Sequence, residues 1–226
     1  MSRTVKILTA VIISLIVISG TQTYLLATSS KEALSEPIRI ACVGDSITRG
    51  TEYTLDLWAH LGPDYVIGDF GVGGATVSLQ SEAAYMNKTA FETAKAFQPD
   101  IVIVMLGTND ADRTLNETNQ QFIADYITLL SAFESLPNKP QIYIAQPPPI
   151  YNVSLSLSGE IFASMVQPSI AEVARQTGTP VIDAYTPLLG HPDLFIDGIH
   201  PTAAGAQLIA DAVYAAVNWP IKNASK

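Results

Sequence analysis

The fold this sequence predicts is an α/β sandwich built on a parallel sheet of about five strands. Three observations carry that expectation. Short apolar runs recur along the chain. Stretches of helical periodicity lie between them. Two of the runs are apolar throughout instead of alternating, as in strands covered on both faces.

The first element in chain order is an N-terminal apolar helix. Arg3 and Lys6 precede 24 residues, 7–30, that carry no charge. As a helix this segment spans about 36 Å, enough for a hydrocarbon core of about 30 Å. A cleaved signal peptide and a retained membrane anchor both fit residues 1–30. In either case the basic flank stays in the cytoplasm and the rest is secreted or faces outward. Residues 31–37, "KEALSEP", read as a linker. The domain then occupies residues 38–220.

Within that domain the strand-like runs are "IRIACV", centred on 39–43, then 65–70, 101–106, 141–146 and 180–185. A helix containing His60 follows the first run. Another spans about 117–134, with Phe122, Tyr126, Leu130 and Phe133 on one stripe and Thr114-x-x-Glu117 as its capping box. A third spans about 159–177, with a kink expected at Pro168. The last spans about 202–217, behind Pro201. No internal repeat interrupts this order.

Composition excludes several classes of function. Apolar residues make up 48% of the chain, enough to build a core. The net charge is −9 with no basic cluster, which argues against a nucleic-acid partner. Cys42 is the single cysteine and reads as a small buried apolar residue, so no internal disulfide forms. The few histidines and one cysteine offer no metal site, and no cofactor is expected. Four Asn-x-Ser/Thr sequons, at Asn87, Asn116, Asn152 and Asn223, are compatible with surface glycosylation of an exported chain.

In an open parallel sheet, sites form beyond the carboxyl ends of the strands. Here the first three runs end in "GDS", "GVGGAT" and "GTND". Ser46 in the first turn is a candidate nucleophile, and equally a helix cap. To react, its hydroxyl needs a base, and the base needs an orienting partner. His60 reads as structural and His191 as exposed. His200 follows Asp197 by three residues with Gly198 between, so one turn can set the carboxylate against the imidazole. Oxyanion donors are available from the Ser46 and Gly74 backbone N–H groups and the Asn109 carboxamide. Asp45 and Asp110 brace their turns by accepting from backbone.

Taken together, "VGDSIT", "FGVGGAT", "MLGTND" and "DGIHP" resemble the four blocks of the SGNH (GDSL-type) hydrolases, in order, across roughly residues 38–217. One departure is Asp69, where relatives often carry Asn. The resemblance implies a flavodoxin-like three-layer α/β/α sandwich. It implies a serine esterase with Ser46, His200 and Asp197 as triad, and Ser46, Gly74 and Asn109 as oxyanion hole. The segments "FQPDIVIVMLGTND" and "KPQIYIAQPPPIY" resemble carbohydrate-esterase relatives of the sialate O-acetylesterase-like or acetylxylan-esterase-like kind. The expected partner is therefore a small-molecule or polysaccharide ester, with Tyr151 a candidate to line a sugar site. A lysophospholipase or thioesterase of the same family remains an alternative, as does a non-catalytic carbohydrate-binding module. Membrane contact runs through residues 1–30 if they are retained.

Overall fold

A computed structural model describes residues 18–19, 36–115, 117–151 and 156–224, with backbone alone for 218–224. The expected apolar helix and the linker fall almost wholly outside the described residues, as do the sequons' Asn116 and Asn152 and the side chain of Asn223. Asn87 is exposed.

Five parallel strands form one sheet in the order β2-β1-β3-β4-β5. They are β1 Ile38–Gly44, β2 Tyr65–Gly71, β3 Ile101–Met105, β4 Gln141–Ala145 and β5 Val181–Ile182. Alternate residues of each inner strand feed opposite cores. Ala41, Val43, Val102, Val104, Ile142 and Ile144 face one side. Ile40, Cys42, Ile101, Ile103 and Met105 face the other. This is why β1 and β3 are apolar at consecutive positions. Burial also pushes the Cys42 thiol up to about 12 and keeps it inert.

Helices cover both faces. On one side lie α3 Thr89–Ala96, α4 Asn119–Glu134 and α6 Gln167–Thr177, which bury Phe91, Phe122, Tyr126, Phe133 and Ile170. On the other lie α1 Ser46–Gly50, α2 Tyr53–Leu61 and α7 Ala203–Ala224, with Ile47, Leu57, Ile209 and Val213 inward. Truncating a fully buried aromatic such as Phe122 to Ala removes about 3–5 kcal/mol. His60 serves this packing: its Nε2 lies 3.0 Å from Asp211 Oδ1 and joins α2 to α7.

Three expectations need correction. Helix α4 is capped by Thr118, not by Thr114. Thr118 and Gln121 form the capping box, while the Thr114 hydroxyl donates to Asp112 Oδ1 at 2.7 Å. The 159–177 helix is continuous but uneven. A short turn, α5 Gly159–Ile161, leads into a π-helical turn, Phe162–Val166, directly before α6. That wider turn lies directly ahead of Pro168, which has no N–H to donate. Strand β5 is only two residues long. Asp183 Oδ1 accepts from the N–H groups of Tyr185 and Thr186 and turns the chain out of the sheet.

Chain order and sheet order part company at β1. The chain runs from β1 to the edge strand β2, then crosses back to β3 on the other side of β1. The carboxyl ends of β1 and β3 therefore flank a crevice.

Candidate active site

The nucleophile turn follows from crowding at that crevice. A Cβ on Gly44 would lie 2.0 Å from Thr48 Oγ1 and 2.9 Å from the Met105 carbonyl, so only glycine lets β1 enter the turn this closely. Asp45 then caps α1, its Oδ1 accepting from the Ile47 N–H at 2.8 Å. Ser46 is the first residue of α1 and is partly exposed beyond the strand end.

The candidate base arrives from far along the chain. Ser46 Oγ and His200 Nε2 stand 2.8 Å apart. His200 Nδ1 is 2.7 Å from Asp197 Oδ2. A carboxylate at Nδ1 keeps the ring proton there, so Nε2 accepts from the serine hydroxyl. Asp197 Oδ1 accepts from the backbone N–H groups of Ile199 and His200, at 2.9 and 2.8 Å. Gly198, at φ +86, makes that three-residue turn possible. Partial burial works against the Asp197 charge, yet the His200 N–H, the His200 ring and the Ile199 N–H outweigh it and hold the carboxyl down at about 2.

The donor side is assembled from the other two turns. Gly74 sits at φ +74 with nothing within 4 Å of where a Cβ would be, so its backbone faces open space. Asn109 Nδ2 donates to the Ala75 carbonyl at 2.9 Å and lies 3.4 Å from Asp45 Oδ2. It thus ties the three glycine-rich turns together. The second contact is long and weak, and leaves that N–H to a better acceptor. Asp110 is fully buried and accepts from the N–H groups of Val77 and Ser78, at 3.0 and 2.9 Å, which anchors the loop that carries Gly74. Burial pushes its carboxyl up to about 7 despite those N–H groups, and Asp45 adds to the rise. Asp45, also buried, is pushed up to about 6 against the Ile47 N–H and the charge of His200.

Gly74 and Asn109 open onto a cleft of about 410 Å³, whose other walls include Thr76, Glu82, Asp112 and Ser156. Its apolar side chains are Ala83, Leu115 and Leu157. Asp112 holds this wall by accepting from Thr114 and from the Ser156 hydroxyl, and Arg113 donates to the Leu157 carbonyl at 3.2 Å. Sequence reasoning passed over this network, because Asp112 and Ser156 are 44 residues apart and neither belongs to a motif.

Tyr151 also has a structural role. Its hydroxyl donates to the Leu188 carbonyl at 2.6 Å and accepts from the Gly190 and His191 N–H groups. The ring stacks edge-on against Phe195 at 5.0 Å. Tyr151 thus braces the segment that leads to Asp197. Glu117, expected in a helix cap, instead has both carboxyl oxygens buried; burial, then Asp110, push it up to about 8 against the Ser78 hydroxyl. Among the described residues no group of three or more His, Cys, Asp or Glu is arranged to hold a metal ion.

Comparison with known proteins gives the chain a family and its fold a set of relatives. A model of the GDSL-like lipase/acylhydrolase family matches residues 42–208. An acetylxylan esterase of Xylanibacter ruminicola is 30% identical over 208 residues, covering 80% of this chain and 43% of the relative. The chain thus spans less than half the length of that relative. Among solved structures, a GDSL-like lipase from Parabacteroides merdae superposes with a TM-score of 0.65 at 20% identity, covering 81% of this chain and 97% of the other. The inhibitor-bound aryl esterase of M. smegmatis gives 0.64 at 19%, covering 80% and 98%. A carbohydrate acetylesterase family member from Sinorhizobium meliloti gives 0.61 at 19%, with the same coverage. At these identities the structural likeness speaks for the fold.

Proposed function

The chain belongs to the GDSL-like lipase/acylhydrolase family; from that premise we propose that it is a carboxylic ester hydrolase that removes O-acetyl groups from carbohydrate through a Ser46–His200–Asp197 triad. The observation that carries this reading is the unbroken contact from the Ser46 hydroxyl through the His200 ring to the Asp197 carboxylate, at 2.8 and 2.7 Å.

The mechanism is two-step acyl transfer. His200 Nε2 takes the Ser46 proton as Oγ bonds to the ester carbonyl carbon. The oxyanion is met by the Ser46 and Gly74 N–H groups and by Asn109 Nδ2. Asp197 stabilises the imidazolium. His200 then gives its proton to the departing alcohol, leaving acetate bonded to Ser46. In the second half His200 draws a proton from water, the hydroxide attacks the acyl carbon, and Ser46 recovers its proton as the acid leaves.

Two features support a carbohydrate acetyl ester. The cleft beside Gly74 and Asn109 carries short polar and acidic side chains, Thr76, Ser81, Glu82, Asp112 and Ser156 among them, which suit a hydroxylated alcohol and a small acyl group. The Xylanibacter relative is described as acting on acetylated xylan. We further propose that catalysis takes place outside the cytoplasm, on the strength of the charge-free segment 7–30 behind Arg3 and Lys6.

A substrate panel tests the reading. Acetate release from acetylated xylan or acetylated sialic acid is expected to exceed hydrolysis of lysophospholipid or acyl-CoA. A serine-reactive phosphonate is expected to modify Ser46. Ser46→Ala is expected to abolish both while keeping the wild-type melting temperature. Preference for lysophospholipid or acyl-CoA would reassign the substrate, and turnover by Ser46→Ala would move the nucleophile elsewhere. Neither p-nitrophenyl acetate turnover nor an adduct in the wild type would leave a binding module.

A further inference from the structure

We propose that a second cleft, on the β2 edge of the sheet, is a neutral-glycan subsite that holds a sugar unit of the polymer whose ester is cleaved at Ser46. This inference rests on the carbohydrate reading above. The cleft encloses about 510 Å³ between α1, α2 and β2. Its walls include Arg49, Leu55, Trp58, Val66 and Asp69.

Position is the first argument. Arg49 lies one helical turn from Ser46 on α1, so the cleft and the nucleophile share one short helix. Asp69 lies near the end of β2, and the loop bearing Gly74 follows directly. The cleft meets the catalytic rim at its Arg49–Asp69 end and runs back along β2 to Val66 and Tyr65, a course that an extended polymer with one unit at the rim can follow.

Chemistry is the second. Helix α2 buries Tyr53 and Leu57 completely, yet leaves Leu55 66% and Trp58 50% exposed. Val66 of the edge strand adds a third exposed apolar side chain. A tryptophan left half in water beside open volume is available for stacking. Next to it stand one cation and one anion. None of the ion pairs among the described residues involves Arg49. Asp69 Oδ1 accepts from the Gly71 N–H at 2.9 Å. The local charge sums to zero, which disfavours phosphate and cationic ligands alike. It suits a neutral ring whose C–H face rests on an aromatic and whose hydroxyls take a donor fork on one side and a carboxylate on the other.

The test separates this site from the catalytic one. In Trp58→Ala, KM for polymeric acetylated xylan is expected to rise about 3- to 10-fold with kcat kept, and p-nitrophenyl acetate kinetics to stay at wild-type values. Trp58→Phe is expected to recover part of the loss. Ser46→Ala protein run in a gel containing deacetylated xylan should be retarded, and the Ser46→Ala/Trp58→Ala protein should not. Unchanged KM and retardation in the Trp58 variants would overturn the subsite. So would a wild-type dimer in size-exclusion chromatography that Trp58→Ala dissociates, since a second copy would then fill the cleft. If the wild type cleaves p-nitrophenyl acetate but releases no acetate from xylan, the substrate reading fails; the gel arm still decides whether this cleft holds glycan.

Discussion

Asp45 and Asp197 approach the same nucleophile and are held in opposite ways. Asp45 is sealed beneath the strand ends, where burial drives its carboxyl up to about 6. Asp197 stands on an exposed turn, where hydrogen bonds from His200 and Ile199 override desolvation and hold it down at about 2. One residue type thus supplies two functions, and environment selects between them. The buried acid ties turns together, and charge is a burden to it. The exposed acid is kept ionised, and its charge is the reason it is there. In this site the permanent anion is the one left near water.

Placing the same substitution at both positions is the sharpest way to break that contrast. Asp197→Asn should lower kcat by about 10³–10⁴, because the amide no longer fixes the ring tautomer or stabilises the imidazolium. A loss under tenfold would mean that Asp197 does little more than cap its turn. Next in size is Asn109, which touches both the Asp45 side and the donor side. Asn109→Ala should lower kcat by about 10²–10³ with little change in KM. Wild-type kinetics there would take its carboxamide out of the oxyanion role.

The smallest effect is expected at Asp45, and in stability more than in rate. Its folded pKa, about 6, lies above the ordinary 3.8. The folded state therefore binds the proton more tightly than the unfolded chain. Stability from this group is full below about pH 4 and is lost as pH rises through 6. Asp45→Asn should accordingly flatten the fall of the melting temperature between pH 4 and 7. Asp197 carries the opposite sign: its contribution is present above the unfolded value and is lost as pH falls towards 2. Thermal scans of both variants across pH 2–8 check the two limbs separately. An Asp45→Asn curve parallel to wild type would show that burial does not govern this carboxyl.

The same contrast shows what could be read before the fold was known. The strands and the turns behind them were legible because local chemistry writes them: consecutive β-branched residues, then glycine with Asp, Ser or Asn. Ser46, Asn109, Asp197 and His200 sit in such turns, so their candidacy needed no coordinates. Where two local signals compete, the sequence is silent on the winner. Thr114-x-x-Glu117 and Thr118-x-x-Gln121 both fit a capping box, and the choice falls to tertiary contacts. Asp112 claims the Thr114 hydroxyl and Glu117 is drawn inward. The bracing role of Tyr151 was hidden for the same reason, since its three partners lie 37–40 residues away. The π-turn before Pro168 and the order of strands are likewise products of packing.

The contact from Ser46 to His200 closes a span of 154 residues. During synthesis, a ribosome finishes the nucleophile's strand early and the proton acceptor's loop late. On the proposed mechanism a nascent chain therefore carries an inert alcohol through most of its growth, and becomes reactive only when the sheet between the two is complete. Turnover of a simple acetate ester then doubles as a reporter of finished folding, silent for any truncated or stalled intermediate.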